Sequence, residues 1–397
     1  MIGDEIEAKL RQFAALAQRD GELWRAPFTV EDERSCVLLE EWLRAAGLTP
    51  RRDAVGNLLG RLPGREKGVV MAGSHRDSVK NGGCYDGAAG VITALLAAGE
   101  LYRELGQPRK TVEVAALQEE EGSRFLSSYI GSKAMTGLLS QRELELTDQE
   151  GLSLSQALGG ADPAQARRDD IELYLELHVE QGPLLEQQGL PLGVVERIVG
   201  LTAARVTVNG RQNHAGTTPM ALRLDPMAAA AEMISRLLRG VGHISDSATM
   251  TIGEIAAFPG VSNVIPERVI FSVDFRDGAA DKLAALDALL QSCAAEQLQR
   301  GFGVQVQYLC QEQPAVLDPA AVELLCASAE SLDLPYRRMN SGAGHDAQVM
   351  ASRFPAGMLF IPSKNGVSHT PEEYTSPQQL ETGFFVLKQA LRTAAWS

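Results

Sequence analysis

Short apolar runs alternate with longer helical segments over the first 200 residues of the chain. Four runs have the length of buried β-strands, at residues 55–62, 68–72, 112–117 and 173–177. Residues 88–105, between the second and third runs, are alanine-rich and long enough for a helix. This alternation predicts an α/β fold with a mixed, largely parallel sheet, whose carboxyl-end loops converge on one crevice.

The pattern changes near residue 200 and returns near residue 313. The intervening region predicts a strand at 204–209, a helix at 225–240, strands at 248–257 and 269–276, a helix at 280–300 and a strand at 304–309. This β-α-β-β-α-β order is that of a ferredoxin-like α+β unit. A helix at 319–331 and a strand at 357–361 resume the first pattern. We therefore expect a discontinuous domain, residues 1–200 and 313–397, interrupted by a small domain at residues 201–312.

Composition and charge narrow the classes of function. The 397 residues are 45% apolar and 22% charged, which is ordinary for a globular protein. The net charge of −14 argues against a nucleic-acid-binding surface, which needs a basic footprint. No apolar run reaches 18 residues, so we expect no membrane span. The N-terminus is acidic and amphipathic, unlike a signal peptide, and we expect a cytoplasmic protein. Five cysteines without a CxxC pair indicate no disulfide framework.

The segment GSHRDSVKNGGCYDG, residues 73–87, carries the densest potential chemistry. It places His75, Asp77 and Asp86 directly after an apolar run, and its glycines allow the backbone to turn a carboxylate towards the imidazole. This arrangement favours a metal site. A polar βα loop whose side chains only cap and hydrogen-bond is the alternative interpretation of the segment alone. Cys84 is interpreted as filling the loop and is excluded as a ligand.

Five of the six histidines lie beside glycines and carboxylates. They are His75, His178, His214, His345 and His369. His243, near the end of a predicted helix, is interpreted as structural. The acidic run Glu119-Glu120-Glu121 follows the third predicted strand. In an extended segment at most two of these glutamates can point into one site, so a ligand and a separate base are both available; Glu119 has no derived role.

A hydrolytic metal site needs nitrogen and oxygen ligands, an open position for water, and a nearby base. Three imidazoles and two carboxylates suit zinc, manganese or cobalt. The residues that supply them are His75, Asp86, Glu121, His178 and His369. Asp77 could accept the second ring N–H of His75 and set its tautomer.

Six motifs in order carry a family resemblance from about residue 10 to the C-terminus. They are GSHRDSVKNGGCYDG, QEEEGSRF, ELHVEQGP, NHAGTTPM, SGAGHDAQ and IPSKNGVSHTPEE. The chain resembles the amidase/hydantoinase-carbamoylase branch of the dinuclear metallo-exopeptidase superfamily. The resemblance implies a zinc exopeptidase-like catalytic domain with an inserted ferredoxin-like domain that serves as lid and dimerisation surface.

The resemblance also implies a metal centre with two divalent ions per subunit, zinc or manganese, with cobalt or nickel possible. Its implied parts are a bridging Asp86, one site completed by His75 and His178, a second completed by Glu121 and His369, and Glu120 as general base. The usual aspartate of the wider superfamily is replaced by His178, as in the amidase branch.

A pocket for the substrate carboxylate is implied by the same resemblance. Its residues are Gln181, Asn263, Arg276 and His345, and His214 from the lid of the partner subunit would stabilise the oxyanion.

The residues themselves leave other interpretations of the lid positions open. Arg276 could form a surface ion pair with Asp274 or Asp277. Asn263 could be an ordinary turn residue, and His214 could make only a loop hydrogen bond.

The implied activity is hydrolysis of a ureido C–N bond in a small carboxylate substrate by a homodimer. EEEGSRF, followed by Gly131-Ser-Lys and Gly137-Leu, resembles the allantoate-hydrolysing members of the branch more than the carbamoylases. The resemblance therefore implies allantoate as substrate, giving ureidoglycine, ammonia and carbon dioxide. An N-carbamoyl-L-amino acid hydrolase or β-ureidopropionase is the alternative. A dipeptidase or aminopeptidase and a non-catalytic carboxylate-binding protein are further alternatives.

Overall fold

A computed structural model describes residues 1–19 and 21–397. Its α-helices, in chain order, are α1 (Ile2–Ala15), α2 (Val30–Ala45), α3 (Ala88–Leu105), α4 (Ile130–Thr136), α5 (Gln141–Leu144), α6 (Leu154–Ala157), α7 (Leu184–Gln188), α8 (Pro226–Ile244), α9 (Ala280–Gln299), α10 (Pro319–Glu330), α11 (Asp346–Met350) and α12 (Pro377–Ala395). Short 3-10 turns occupy Pro163–Ala166, Met220–Leu222 and Lys364–Gly366.

Within the described residues, the strands are between two and ten residues long. They are β1 (Gln18–Arg19), β2 (Glu22–Leu23), β3 (Thr49–Arg52), β4 (Leu58–Leu62), β5 (Glu66–His75), β6 (Lys110–Leu117), β7 (Ile171–Val179), β8 (Gly193–Ile198), β9 (Gly200–Asn209), β10 (Asn213–His214), β11 (Thr249–Thr251), β12 (Ile255–Phe258), β13 (Val264–Ile265), β14 (Arg268–Asp277), β15 (Gly303–Glu312), β16 (Ala315–Val316), β17 (Arg337–Ser341) and β18 (Ala356–Ile361).

The chain divides into two compact units. The discontinuous unit comprises Met1–Glu196 and Val316–Ser397, and the inserted unit comprises Arg197–Ala315. The backbone N–H of Leu317 donates to the carbonyl oxygen of Glu196 at 2.9 Å, so the chain leaves and re-enters the discontinuous unit at neighbouring points. The expected domain limits, after residues 200 and 312, lie within a few residues of these.

A mixed sheet forms the centre of the discontinuous unit. Its main strand order is β16-β8-β18-β7-β5-β6-β4-β3. The four strands β18, β7, β5 and β6 are parallel, and antiparallel strands flank them on both sides. β18 is buried along its whole length, and β5 is buried from its fourth residue onwards. The mixed, largely parallel sheet is therefore confirmed.

Helices cover this sheet because their apolar faces require burial. α3 is rich in alanine and is buried over most of its length, where it packs on β5 and β7. α12 begins with Pro377 at its first position and a capping box between Ser376 and Gln379, and it packs against α3. The packing holds β5, β6, β7 and β18 rigidly, so the loops at their carboxyl ends start from fixed points.

The inserted unit has its own antiparallel sheet and its own core. The strand order is β11-β14-β9-β15, and β12 also pairs with β14. α8 and α9 pack against each other and against this sheet, and apolar residues of both helices and of β9 and β14 form its core. Asp225 is the N-cap residue of α8, and its carboxylate accepts the N–H of Met227. The two-helix, antiparallel-sheet arrangement agrees with the predicted α+β unit.

The observed elements differ from the predicted ones in their bounds and, at one place, in number. The first predicted strand, 55–62, begins only at Leu58. The predicted strand 248–257 is two strands, β11 and β12, because Ser272 Oγ accepts the N–H groups of Gly253 and Glu254 at the break. Among the described residues, none of the helices combines the length and the apolar character needed to cross a bilayer.

Candidate metal centre

The carboxylate of Asp86 lies at the centre of the histidine cluster. Its Oδ1 is 3.0 Å from His178 Nε2 and 3.3 Å from His75 Nε2. Its Oδ2 is 3.1 Å from His369 Nε2 and accepts from Gln181 Nε2 at 2.9 Å. One oxygen therefore faces two imidazoles, and the other faces the third.

The sheet and one glycine create this arrangement. His75 is the last residue of β5, and His178 is the penultimate residue of the neighbouring parallel strand β7. Gly87, which follows Asp86, has φ +60°, and a Cβ there would lie 2.4 Å from the ring of His75. Only glycine allows the loop to pass this close to the imidazole with that backbone conformation.

Backbone carbonyls orient the two strand histidines. The Nδ1 of His75 is 3.1 Å from the carbonyl oxygen of Asp77, and the Nδ1 of His178 is 2.8 Å from that of Val179. In the neutral ring this bond places the proton on Nδ1 and leaves a lone pair on Nε2, the atom that faces Asp86. The N–H of Gly87 donates to Nε2 of His178 at 3.3 Å, which agrees with that tautomer.

The carboxylate of Asp77 has a second function beyond the expected contact with His75. Its Oδ1 is 3.7 Å from His75 Nδ1, which is longer than the carbonyl contact. Its two oxygens accept the backbone N–H groups of Glu120 and Glu121, each at 3.1 Å. Asp77 thus links the loop after β5 to the loop after β6.

The three consecutive glutamates separate into different environments. Glu120 Oε2 lies 3.9 Å from His75 Nε2, and Glu121 Oε1 lies 3.6 Å from His369 Nε2. Glu119 has φ +53° and turns away, and its Oε1 accepts the N–H groups of Arg124 and Phe125. Glu119 therefore shapes the loop that presents the other two carboxylates.

The side chains of the centre have shifted pKa values: that of Asp86 is lowered, and those of Glu120, Glu121 and His369 are raised. Burial opposes ionisation of Asp86, but when the rings of His178, His369 and His75 are protonated their Nε2–H groups donate to it, and these bonds hold its pKa well below the usual range. Burial raises the pKa of Glu120 well above its ordinary value. Burial and the charge of Asp86 raise the pKa of Glu121 to about 7. The hydrogen bond to Asp86 raises the pKa of His369 to about 9.

The donor atoms fit a divalent cation. His75, Asp86 and His178 each offer one atom within 4.8 Å of the others, as do Asp86, Glu121 and His369. Glu121 Oε1 is buried and has no hydrogen-bond partner. In their neutral forms, His75 and His178 direct Nε2 lone pairs at an oxygen of Asp86. Lone pairs that face each other repel, and a cation between them removes that repulsion. The five residues expected as ligands thus lie together around one carboxylate.

The predicted pocket residues are divided between the two units. Gln181 contacts Asp86, and the buried His345 has its ring centroid 4.5 Å from that of His178. Burial and the neighbouring His178 lower the pKa of His345 well below its usual value, which favours the neutral ring.

The other three predicted residues, His214, Asn263 and Arg276, belong to the inserted unit. The Nδ1 of His214 accepts N–H groups from Gly216 and Thr217, so a neutral ring carries its proton on the exposed Nε2 and can donate there. The N–H of Ala215 donates to the carbonyl oxygen of Asn263. Arg276 pairs with Asp274 at 3.0 Å, the ion pair that the sequence left open.

Two contacts around the centre were not anticipated from the sequence. Arg76, between His75 and Asp77, is fully buried and paired with Asp32 at 2.8 Å. Glu373 is buried and accepts the N–H groups of Tyr85 and Asp86. In the sequence, Arg76 and Glu373 are marked only by their positions next to histidine motifs. Such a position does not reveal which distant residue each one contacts.

Comparison with known proteins identifies relatives that match nearly the whole chain. Residues 63–393 match Peptidase family M20/M25/M40. The chain is 40% identical to an allantoate amidohydrolase of Bacillus subtilis (strain 168), over 100% of this chain and 97% of that protein. It is 37% identical to an N-carbamoyl-L-amino-acid amidohydrolase of Paenarthrobacter aurescens, over 98% and 97%.

A solved structure shares the fold. The crystal structure of an amidase of the hydantoinase/carbamoylase family from Burkholderia multivorans superimposes with a TM-score of 0.91 at 32% identity, covering 98% of this chain and 97% of that one. The resemblance seen in the six motifs is thereby confirmed. The chain belongs to peptidase family M20/M25/M40.

Proposed function

We propose that this protein is a metal-dependent amidohydrolase that cleaves a ureido C–N bond of a small carboxylate, with allantoate as the favoured substrate. The observation that carries the proposal is the position of the Asp86 carboxylate. One of its oxygens faces two imidazoles and the other faces the third. This is the arrangement expected of a carboxylate that bridges two cations. The similarity to enzymes named for allantoate and N-carbamoyl amino acids supports the choice of bond.

The proposed ligands divide into two overlapping sets. His75 and His178 would hold one ion with Asp86, and Glu121 and His369 would hold the other with the same aspartate. When bound, divalent ions, zinc or manganese with cobalt or nickel as substitutes, would polarise the ureido carbonyl and lower the pKa of a water molecule. The number and identity of the ions belong to the proposal.

Glu120 would move the proton in the reaction. Glu120 is 7% exposed and its carboxylate lies beside His75, but it is not a member of either proposed ligand set. Water adds to the ureido carbonyl carbon while Glu120 accepts its proton, and the same proton passes to the nitrogen that leaves as the C–N bond breaks. Asp77 holds the backbone of Glu120 at the required position through its hydrogen bond.

The proposed substrate-binding residues are those that the family resemblance implies. A guanidinium such as that of Arg276 can form two parallel hydrogen bonds with a carboxylate, and Asp274 already holds it in one orientation. Gln181, Asn263 and His345 would complete the pocket, and the Nε2–H of His214 would stabilise the oxyanion.

A two-substrate assay tests the proposal. The purified chain is loaded with Mn²⁺, Co²⁺ or Zn²⁺, and kcat/KM is measured for allantoate and for an N-carbamoyl-L-amino acid. We expect the larger value for allantoate. A larger value for the carbamoyl compound would favour the N-carbamoyl-L-amino acid hydrolase, whose relative is almost equally similar.

Further substrates separate the remaining alternatives. Hydrolysis of β-ureidopropionate above both compounds would indicate a β-ureidopropionase. Hydrolysis of dipeptides without any ureido compound would indicate a peptidase. Binding of carboxylates without turnover by metal-loaded protein would indicate a non-catalytic relative.

We also propose that the protein is a homodimer in which His214 of one subunit completes the active site of the other. In the described part of the inserted unit, β15 lies at one end of the sheet order, and Leu309 on it is 55% exposed. A strand at the edge of a sheet offers backbone groups that a second copy can pair with. A subunit-mixing experiment, given in the Discussion, tests this arrangement.

A further inference from the structure

We infer that Glu373 is a positioning residue that fixes the distance between the loop carrying Asp86 and the loop carrying His369. This inference rests on the proposed metal binding, because it concerns how two proposed ligands are held before an ion arrives. Glu373 is not a proposed ligand, and its role is to hold the backbone on either side of the centre.

The side chain of Glu373 forms three hydrogen bonds that join the two loops. Its Oε2 accepts the backbone N–H of Tyr85 at 2.9 Å and that of Asp86 at 3.1 Å. Its Oε1 accepts from Ser368 Oγ at 2.7 Å. One carboxylate thus binds the residue that bears the shared oxygen atoms and the residue directly before His369.

Burial makes these bonds important. Glu373 is 4% exposed, so the two N–H groups that it accepts would remain unpaired in a protein interior if the carboxylate were removed. A buried unpaired N–H costs free energy, and the loop would shift to recover a partner. Such a shift would move Asp86, and with it both proposed ion positions.

Gly83 provides the space that this contact needs. A Cβ at Gly83 would lie 2.2 Å from Oε2 of Glu373, so a larger residue would displace the carboxylate. On its own side, the loop of Glu373 is anchored to the end of β18, because the hydroxyl of Thr375 donates to the carbonyl oxygen of Pro362. The sheet therefore supports the carboxylate, and the carboxylate supports the loop of Asp86.

Gln181, in the loop after β7, contacts the side chains of Asp86 and Ser368. Its Nε2 donates to Asp86 Oδ2 at 2.9 Å and lies 3.3 Å from Ser368 Oγ. Glu373 and Gln181 thus hold the backbone and the side chain of Asp86, respectively. Partners of this kind around metal ligands typically change metal affinity or activity 10–100-fold when they are mutated.

Three variants test the role of Glu373. Glu373→Ala removes all three bonds, and Glu373→Gln keeps an oxygen for the two N–H groups. Glu372→Ala makes the same truncation at the exposed neighbouring position and is the matched control. Metal-free protein is titrated with Mn²⁺ by calorimetry, the Co²⁺ absorption spectrum is recorded, and circular dichroism confirms folding.

We expect Glu373→Ala to weaken the more weakly bound Mn²⁺ about 10–100-fold and to change the Co²⁺ spectrum. Glu373→Gln should stay within about threefold of the wild type, since its oxygen can still accept both N–H groups, and Glu372→Ala should match the wild type. Wild-type affinity in Glu373→Ala, or an equal loss in Glu373→Gln, overturns the inference. If Glu373→Ala does not fold, Ser368→Ala decides, because it removes the bond of Glu373 towards His369, together with the longer contact from Gln181, and leaves the two bonds to Tyr85 and Asp86 in place. Unchanged affinity in Ser368→Ala likewise overturns the inference.

The outcome for the wild type separates this inference from the proposed function. A wild-type chain that binds no Mn²⁺ contradicts the proposed metal-dependent hydrolase. A wild-type chain that binds two ions, together with a Glu373→Ala chain that binds them equally well, contradicts only the positioning role.

Discussion

At the scale of single residues, backbone carbonyl groups determine which atoms of the histidines face the centre. Asp77 and Val179 accept from the Nδ1 atoms of His75 and His178, so the Nε2 lone pairs point to Asp86. These acceptors belong to residues next to the histidines or two positions away. The tautomers are therefore set by the backbone next to each histidine, and substitution of the side chain of Val179 alone would not change them.

Glu120 and Glu121 should respond differently to the same substitution. We expect Glu120→Gln to lower kcat at least about 100-fold, because the amide cannot accept the proton of water, while the metal content stays at the wild-type value. Glu121→Gln, the adjacent control, should lose bound metal as well as activity. Steady-state kinetics and elemental analysis of the purified variants measure both effects, and an active Glu120→Gln enzyme would remove Glu120 from the mechanism.

The chemical residues could be predicted from the sequence, but their partners could not. His75, Asp86, Glu121, His178 and His369 stand out because each lies in a polar motif on the loops or strand ends at one edge of the predicted sheet. The contact between Glu373 and the N–H of Asp86 spans 287 positions and involves a backbone group that every residue possesses. Only the tertiary structure makes such a pair visible.

At the scale of elements, Glu143 connects the short helices α4 and α5 with the end of the acidic loop, the segment 119–129 that follows β6. This residue forms a capping box with Ser140 at the start of α5, and it also accepts from Lys133 of α4 at 2.6 Å and from Ser127 Oγ at 2.9 Å. Burial opposes its ionisation, but the bonds from Lys133 and Ser140 lower its pKa from 4.5 to about 2. One carboxylate thus stabilises the arrangement of α4, α5 and the end of the acidic loop.

The contribution of Glu143 to stability should depend on pH. A carboxyl group with a lowered pKa stabilises the fold above its unfolded pKa of 4.5, and this stabilisation is lost as the pH falls towards about 2. We expect Glu143→Gln to cost about 1 kcal/mol near pH 7, since solvent screens this partly exposed side chain. Urea unfolding between pH 7 and pH 2.5 should show that difference shrinking, whereas the exposed Glu145→Gln control should show none; a constant difference for Glu143→Gln would contradict the assignment.

Element types were predicted best where one pattern dominates. Residues 88–105 form α3 over the predicted range, because an alanine-rich segment that is buried on most sides has few alternatives. The division of 248–257 into β11 and β12 depends on Ser272 of another strand, so local alternation could not reveal it. The helix α12 was not predicted, although Ser376, Pro377 and Gln379 form a start signal that the sequence contains.

At the scale of the whole molecule, the residues of the proposed mechanism are distributed over the two units. All five proposed ligands and Glu120 belong to the discontinuous unit, whereas His214, Asn263 and Arg276 belong to the inserted unit. The division into units followed from the change of pattern near residues 200 and 313. The roles of the inserted residues came only from the family resemblance, because spacing alone could not tell a substrate ligand from a turn or an ion pair.

Mixing two inactive variants should restore activity if the homodimer shares its sites. Glu120→Gln and His214→Asn subunits each lack one component, but a mixed dimer contains one site with Glu120 and with His214 of the partner subunit. Random exchange should therefore return about a quarter of the wild-type kcat per subunit. Light scattering confirms the dimer, and the absence of recovery after proven subunit exchange would place His214 in the site of its own chain or outside the site.

The position of β18 in the strand order determines when the sheet can be completed on the ribosome. β18 lies between β7 and β8, yet it is synthesised after the whole inserted unit, about 180 residues behind the end of β7, a delay of roughly 10–35 s at typical translation rates. The inserted unit can pair all its own strands before β18 is made, because β9 to β15 precede β18 in the chain. The edge of β7 that pairs with β18 stays unpaired until β18 is made. A premature stop before residue 361 should consequently leave an aggregation-prone product, and chaperones that hold nascent chains should act on this protein late in its synthesis.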